Sequence, residues 1–446
     1  MDEVPDYREF LTVKELDDSS RRLASENPSI EYKKIGESIE GRPISYLKIG
    51  EGENKALLFA FPHPNEPIGS MTLEFLSGYL AENREVLDEL GYTWYLVKAV
   101  DPDGAALNEG WFKGEFTPLK YARNYYRPPG HEQIEWTFPV DYKNLHFHDS
   151  PPETRALMSL IDEVKPDFMF SLHNAGFCGV YYYISHPLEQ LYEGFTSLVE
   201  EEGLPLHKGE PEAPFIETLH PAVFRMFGIQ SQYEFYEENG VVDPSTIIKS
   251  GTSSHDYLQR VTGGRGFTLV CEMPYFYDKA LEDDSPTMDE RRDLVLDSLK
   301  FSETVYSFVE SRFSKIKDLC RHESRIYRSV SDYIENFQKR HEPRMHHAKT
   351  TEDYQGKATV AQSFDSKVAR RYYQSFIVAM TSRLCDEAIE RHPEKKRMIG
   401  GIKDELDEWV SSNVESVLEE TAFRVIPIKK LVRVQTGSAL ITMQNL

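Results

Sequence analysis

His63 and Glu66, three residues apart, are the side chains whose types and spacing most directly predict chemistry. Both follow an apolar segment typical of a buried strand, and Pro67 keeps Glu66 out of a regular helix. The pair is therefore predicted to lie on a turn between that strand and a helix that begins near Ser70. His173, at the end of another apolar segment, offers a third ligand. Two imidazoles and one carboxylate around an ion with an open position are typical of a catalytic zinc site.

A single carboxylate, Glu272, interrupts the apolar segment at residues 267–274. A carboxylate there must be paired, exposed in a cleft or catalytic, because burying it unpaired is costly. Beside a zinc-bound water, Glu272 could act as a general base that passes a proton to a leaving amine. Plainer interpretations are a solvated turn for His63 and Glu66 and a salt-bridged edge position for Glu272.

A rival metal-binding group is formed by His146, His148 and Asp149. The two histidines are separated by one residue, and such residues of a strand share one face. A loop without bound metal is the plainer interpretation of this segment. The choice between the two groups depends on which elements bring distant residues together.

The elements predict an α/β fold, with a mixed and mostly parallel sheet that has helices on both faces. Short β-branched or aromatic strands alternate with helical patterns from about residue 30 to residue 280. Ligands of such sheets bind at the carboxyl ends of the strands, where the candidate ligands lie. We predict a helical lead-in at 1–29, a catalytic domain at 30–310 and a mainly α-helical region at 311–446. In that last region, helices at 367–391 and 396–420 follow a polar interruption at 342–351, and a mixed apolar tail ends the chain.

Five sequence features follow one another in an order that characterises a known family. They are Gly-Arg-Pro at 41–43, His-x-x-Glu at 63–66, Asp-Pro-Asp-Gly at 101–104, Pro-Glu-Thr at 152–154 and the apolar segment that carries Glu272. Together they resemble the zinc carboxypeptidase family over roughly residues 30–310. The resemblance implies one zinc ion per chain, held by His63, Glu66 and His173, with Glu272 as the catalytic glutamate. It also implies an arginine that stabilises the oxyanion, either Arg123 or Arg127. We favour Arg127 because the Pro-Pro that follows it would keep the backbone rigid.

The sequence departs from the family where the substrate is recognised. The family carries an Asn-Arg pair that binds the terminal carboxylate, whereas this chain has Lys143 and Asn144 and no arginine. Lysine supplies the charge without the bidentate fork of arginine. The floor of the side-chain pocket would come from Ser254 or His255, which are polar, and Ile247-Ile248 replaces the expected substrate-capping tyrosine.

Composition limits the classes of partner and the compartment. The formal net charge of −23 over 446 residues makes a nucleic-acid partner unexpected, because phosphate binding needs clustered Lys and Arg. The four cysteines form no CxxC pair, which favours a reducing compartment. An acidic start without an apolar stretch predicts no secretory signal, and no run is long enough for a membrane helix. We expect a soluble, cytoplasmic protein without a membrane partner.

These features predict a zinc-dependent hydrolase that cleaves an amide bond, most simply by removing a C-terminal residue from a peptide or modified peptide. An amidase or deacylase that acts on N-acyl amino acids or cell-wall peptide fragments is the first alternative. A catalytically silent binding protein is the second, and the presence of all three ligands with Glu272 argues against it.

Overall fold

The computed structural model describes residues 3–446, and its centre is a nine-stranded mixed sheet with the order β1-β2-β4-β3-β7-β12-β9-β11-β10. The strands are β1 Glu31–Glu37, β2 Pro43–Ile49, β3 Asn54–Ala60, β4 Tyr92–Val97, β5 Val140–Tyr142, β6 Leu145–Phe147, β7 Phe168–Leu172, β8 Ala175–Phe177, β9 Tyr181–Ile184, β10 Thr218–His220, β11 Val223–Arg225, β12 Phe267–Glu272, β13 Pro274–Tyr277, β14 Pro286–Glu290, β15 Lys357–Thr359 and β16 Arg424–Val425. The four central strands β4, β3, β7 and β12 run parallel, and antiparallel pairs lie toward both edges. The predicted α/β class with a mixed sheet is confirmed.

Helices cover the sheet and extend beyond it. They are α1 Val13–Glu26, α2 Ile68–Glu82, α3 Arg84–Leu90, α4 Pro102–Ala106, α5 Pro118–Arg123, α6 Pro152–Val164, α7 Gln190–Glu201, α8 Ile229–Glu238, α9 Ser254–Thr262, α10 Arg291–Ile316, α11 Arg325–Thr350, α12 Val360–Phe364, α13 Arg370–Arg391, α14 Lys396–Glu419 and α15 Ile428–Asn445. A π-helical turn at Asp365–Ala369 joins α12 to α13. Among the helices of residues 3–446, none is both long and apolar enough to cross a membrane.

Alternation along β3 explains why both faces of the sheet are covered. Leu57 and Phe59 pack into a core with α6 and α9, whereas Leu58 and Ala60 pack into a second core with α2 and α15. Successive side chains of a strand point to opposite faces, so an all-apolar strand needs a helix on each side.

The local helix predictions are confirmed in part. Helix α1, in the predicted helical lead-in, begins at a capping box formed by Thr12 and Glu15. Helix α2 begins at Ile68, close to the predicted start. The polar segment 342–351 does not interrupt a helix, because α11 continues through Pro343 to Thr350 with Ala348 still buried. The tail after residue 423 is mainly the helix α15, whose apolar residues are covered by α2 and α7.

The predicted boundary at residue 310 falls inside α10. Helix α15 packs against α2 and α7, and Gln435 of α15 donates hydrogen bonds to the backbone oxygens of His173 (2.8 Å) and Cys271 (3.4 Å). One hydrophobic core contains residues of the sheet and of α11, α13, α14 and α15. Residues 311–446 therefore do not pack as a separate unit.

Arg325, at the start of α11, joins the helical region to the sheet. Its guanidinium lies 2.8 Å from Asp103, 3.4 Å from Glu153 and 3.7 Å from Asp101, and all three carboxylates are buried. Arg42 binds Asp103 from the other side at 2.6 Å. The Gly-Arg-Pro, Asp-Pro-Asp-Gly and Pro-Glu-Thr motifs thus meet at one buried ionic cluster, which has its central cation in α11.

Candidate metal centre

The turn after β3 places His63 and Glu66 at the carboxyl edge of the sheet. Phe61 has a positive φ of 58°, rare for a bulky side chain, and it is held there by complete burial. Gly69 allows α2 to lie close to β7, because a Cβ at this position would be 2.5 Å from the Cβ of Leu172. That close approach brings the turn beside His173, the residue that follows β7.

Three potential ligand atoms, one each from His63, Glu66 and His173, meet at this edge. His63 Nδ1 lies 3.1 Å from His173 Nδ1, and the Glu66 carboxylate lies 3.1 and 3.2 Å from His63 Nδ1 and 3.0 Å from His173 Nδ1. All three residues are buried. The ligand atoms of these three residues all lie within 4.8 Å of one another. Among residues 3–446, no other group of three or more His, Cys, Asp or Glu residues meets this criterion.

This geometry fits a zinc ion. Ligand atoms about 2.0–2.2 Å from a tetrahedral zinc lie roughly 3.3–3.6 Å apart, so outward shifts of a few tenths of an ångström would accommodate the ion. Both histidines present the same nitrogen, Nδ1, and Glu66 adds an anionic oxygen. Two nitrogens and one oxygen leave a fourth tetrahedral position open, as catalytic zinc sites do.

The electrostatics of the site favour a bound cation. Burial, with the charge of Arg127, lowers the pKa of His63 to about 3, which keeps its imidazole neutral as a ligand must be. Burial would raise the pKa of Glu66, but the imidazoles of His63 and His173 outweigh it and hold that pKa well below its usual range. Burial also opposes protonation of His173, yet hydrogen bonding to Glu66 and the surrounding carboxylates raises its pKa to about 9. A metal ion that binds here would displace the proton from His173 and take over the same interactions with the surrounding carboxylates.

Glu272 and Arg127 lie beside the three ligand residues. Glu272 Oε1 is 3.7 Å from His173 Nδ1, and burial together with the Glu66 charge raises the pKa of Glu272 well above its usual range. Its Oε2 is buried and has no hydrogen-bond partner among residues 3–446, so it can accept a proton or a hydrogen bond from a molecule in the cavity. Arg127 Nη1 lies 3.4 Å from Glu66 Oε1.

A buried network that the sequence analysis missed lies behind His173. His173 Nε2 is 2.9 Å from Ser171 Oγ, and Ser171 Oγ donates to Glu135 Oε2 at 3.0 Å. Ser254 Oγ donates to the other oxygen of Glu135 at 2.8 Å. A carboxylate behind a ligand histidine keeps the proton on the far nitrogen and leaves Nδ1 free for metal. The available sequence signal was one carboxylate in the apolar segment Ile134–Phe138, the pattern that also marked Glu272.

The remaining predicted substrate and oxyanion residues lie away from the ligand cluster. Arg123 is exposed and donates a hydrogen bond to Ser411, whereas Arg127 lies beside Glu66. Lys143 is at the turn of the β5–β6 hairpin and forms an ion pair with Glu237. Neither residue lines the cavity over the metal centre, because Arg123 ends helix α5 and Lys143 lies at the tip of a hairpin.

The other three predicted residues are also accounted for by the fold. Asn144 is exposed in the β5–β6 hairpin. His255 Nδ1 contacts Thr268 Oγ1 at 3.1 Å, and Ser254 belongs to the network behind His173. Neither side chain lines the cavity at the metal centre, because α9 turns both into contacts with neighbouring elements.

The rival metal-binding group forms differently from the prediction. His146 and His148 contact Asp141 Oδ1 at 2.7 and 3.0 Å, so Asp149 is not their carboxylate partner. All three side chains of this group are more than 60% exposed. Exposed histidines that contact an exposed carboxylate are common without a bound metal.

A cavity of about 660 Å³ opens over the metal centre. One wall carries the candidate catalytic residues Glu272 and Arg127, together with Tyr181. Helices α11 and α13 line another part of the cavity, with Tyr333 and Tyr373 among others. Its volume is in the range that holds a small organic ligand or a short peptide.

Comparisons with known proteins agree with the motifs. Residues 16–264 match the sequence profile of the family described as zinc carboxypeptidase. No match was found among curated proteins. Solved structures with similarity include carboxypeptidase A from Helicoverpa armigera, at 14% identity and a TM-score of 0.41, covering 61% of this chain and 66% of that one. They also include a metallo-carboxypeptidase from Burkholderia cenocepacia, at 17% identity and a TM-score of 0.34, covering 59% and 60% respectively.

Proposed function

The chain belongs to the zinc carboxypeptidase family, and from this premise we propose that it removes the C-terminal residue of a peptide or modified peptide. Family membership makes it a zinc metallocarboxypeptidase-like hydrolase. In the proposal, one zinc ion is held by His63, Glu66 and His173. The observation that carries the proposal is the convergence of two Nδ1 atoms and one carboxylate beside Glu272, at the floor of a peptide-sized cavity.

Bound zinc would polarise the scissile carbonyl and lower the pKa of a coordinated water. Glu272 takes a proton from the attacking water at its unpaired Oε2 and returns it to the leaving amine. Arg127 donates hydrogen bonds to the carbonyl oxygen as negative charge develops on it. Burial strengthens the hydrogen bonds of Glu272 and Arg127 to the reacting groups, because electrostatic attraction is stronger in a low local dielectric.

A cleavage assay by mass spectrometry tests the proposal. Purified protein is incubated, with and without a metal chelator, with matched peptides that have free or amidated C-termini and with N-acyl amino acids. We expect chelator-sensitive loss of single residues from the free C-termini. Cleavage confined to N-acyl amino acids would move the protein to the deacylase class. An active protein that carries no metal would refute the mechanism.

A further inference from the structure

The helical region supplies part of the lining of the cavity over the metal centre. Helix α11 contributes Asp332 and Arg340, and the segment from the π-helical turn into α13 contributes Asp365 and Arg370. A substrate in this cavity would therefore contact residues outside the segment matched by the family profile, which ends at residue 264. Specificity can be encoded in these helices.

The carboxylate of a peptide with a free C-terminus loses its water when it enters the cavity, and a paired cation would offset that cost. Lys143 and Asn144, at the place in the sequence where the family has this function, lie outside the cavity. Three arginines among residues 3–446 line the cavity: Arg127, Arg340 and Arg370.

Two of these arginines already have carboxylate partners. Arg127 contacts Glu66 at 3.4 Å, and Arg340 forms an ion pair with Asp332 at 2.9 Å. Arg370 has no hydrogen-bonded or ion-paired partner in the described part of the chain, and it acts on the buried Asp365 only at longer range.

The acidic groups near Arg370 are already engaged. Glu210 accepts two hydrogen bonds of 2.6 Å from Arg291, and Asp365 accepts the Glu210 backbone N–H at 2.6 Å. Arg370 follows directly after the π-helical turn Asp365–Ala369, and such turns are frequent at functional sites. Its guanidinium is thus a partly exposed, unpaired cation that faces the cavity.

We propose that Arg370 binds the carboxylate of the substrate, and that the substrate is a short peptide with a free C-terminus. This inference rests on the proposed function. The planar guanidinium can bind a carboxylate through two parallel hydrogen bonds, which gives orientation as well as affinity. The carboxylate receptor thus belongs to the helical region.

Binding of matched ligands separates this role from a structural one. The zinc-loaded Glu272→Gln protein, in which hydrolysis is impaired, is titrated calorimetrically with an N-acetyl tripeptide as free acid and as C-terminal amide. Adding Arg370→Gln should weaken binding of the acid on the order of 10- to 100-fold, as expected for loss of charge-assisted hydrogen bonds, and barely change binding of the amide. Arg370→Lys should give an intermediate loss, because the charge remains without the fork.

Arg371 provides the matched control. It is the next residue of α13 but binds Glu420 and Ser416 away from the cavity, so Arg371→Gln should leave both affinities unchanged. Zinc content and circular dichroism verify that each variant is folded. Equal losses for acid and amide, no loss for either, or no binding of the acid by the parent protein would overturn the inference. Arg370-dependent binding without any cleavage by the unmodified protein would reject the proposed function alone.

Discussion

Replacing Arg325 by methionine should destabilise the protein strongly, because Arg325 is the central cation of the buried cluster beneath α11. The change keeps the side-chain length but leaves Asp101, Asp103 and Glu153 with side chains at most 2% exposed. Removing one partner of a buried ionic group typically costs about 3–5 kcal/mol. Unfolding entropy of roughly 2.1 cal/mol/K per residue amounts to about 0.9 kcal/mol/K for a chain of this length, so we expect Tm to fall by about 3–5 °C.

The loss of unfolding free energy in Arg325→Met should depend on pH, and the buried acidic groups determine the direction of that dependence. Burial raises the pKa of Asp101 to about 7 even with Arg325 present, and Glu153, Asp103 and Tyr126 surround it. Without Arg325 this pKa rises further in the folded state, whereas the unfolded value stays near 3.9. Stability is then lost progressively as pH rises from the unfolded value through the folded one. The difference in unfolding free energy between wild type and variant should therefore be larger at pH 8 than at pH 5.

Arg328, one turn further along α11, is the control for this experiment. Its ion pair with Glu132 is partly exposed, at 31% and 22%, so Arg328→Met should cost less than about 1 kcal/mol. Thermal and urea unfolding of both variants at the two pH values provides the measurement. Equal losses for the two variants, or a loss at Arg325 that does not change with pH, would refute the reasoning.

The remaining predictions concern the metal centre. Glu272→Gln should retain zinc and lower kcat on the order of 10²- to 10⁴-fold, as steady-state kinetics and elemental analysis can show; unchanged kcat would assign the base elsewhere. Glu135→Gln should weaken zinc binding roughly 10- to 100-fold in a competition with a chromogenic chelator, because His173 loses its outer carboxylate. His63→Ala should reduce the zinc content from about one ion per chain to near zero, and full retention would remove His63 from the ligand set.

The sequence predicts the residues at the centre of the site, because their spacing and their apolar neighbours are local features of the chain. The spacing of His63 and Glu66 is three residues, Pro67 fixes the turn, and apolar segments mark where His173 and Glu272 leave the sheet. The structure brings these four side chains together, and their roles stay predictions until they are measured.

The substrate residues could not be anticipated in the same way. The position in the sequence predicts Lys143, Asn144 and Arg123 as site residues, but none of the three lines the cavity. Lys143 and Asn144 lie in a hairpin turn and Arg123 ends the short helix α5, and such positions carry no periodicity that reveals which way a polar side chain faces. Glu135 does have a sequence signal, because the apolar residues Ile134 and Trp136 flank it directly.

The sequence by itself determined the alternation of strands and helices, the family and the local geometry of the ligand turn, since short-range sterics and hydrophobic periodicity act within a few residues. Only the tertiary structure decided how the helical region is used. Arg325 lies 222 residues from its partner Asp103, and Gln435 lies 262 residues from His173. Pairings of such separation depend on the packing of the whole core, and the same packing places Arg370 in the lining of the cavity.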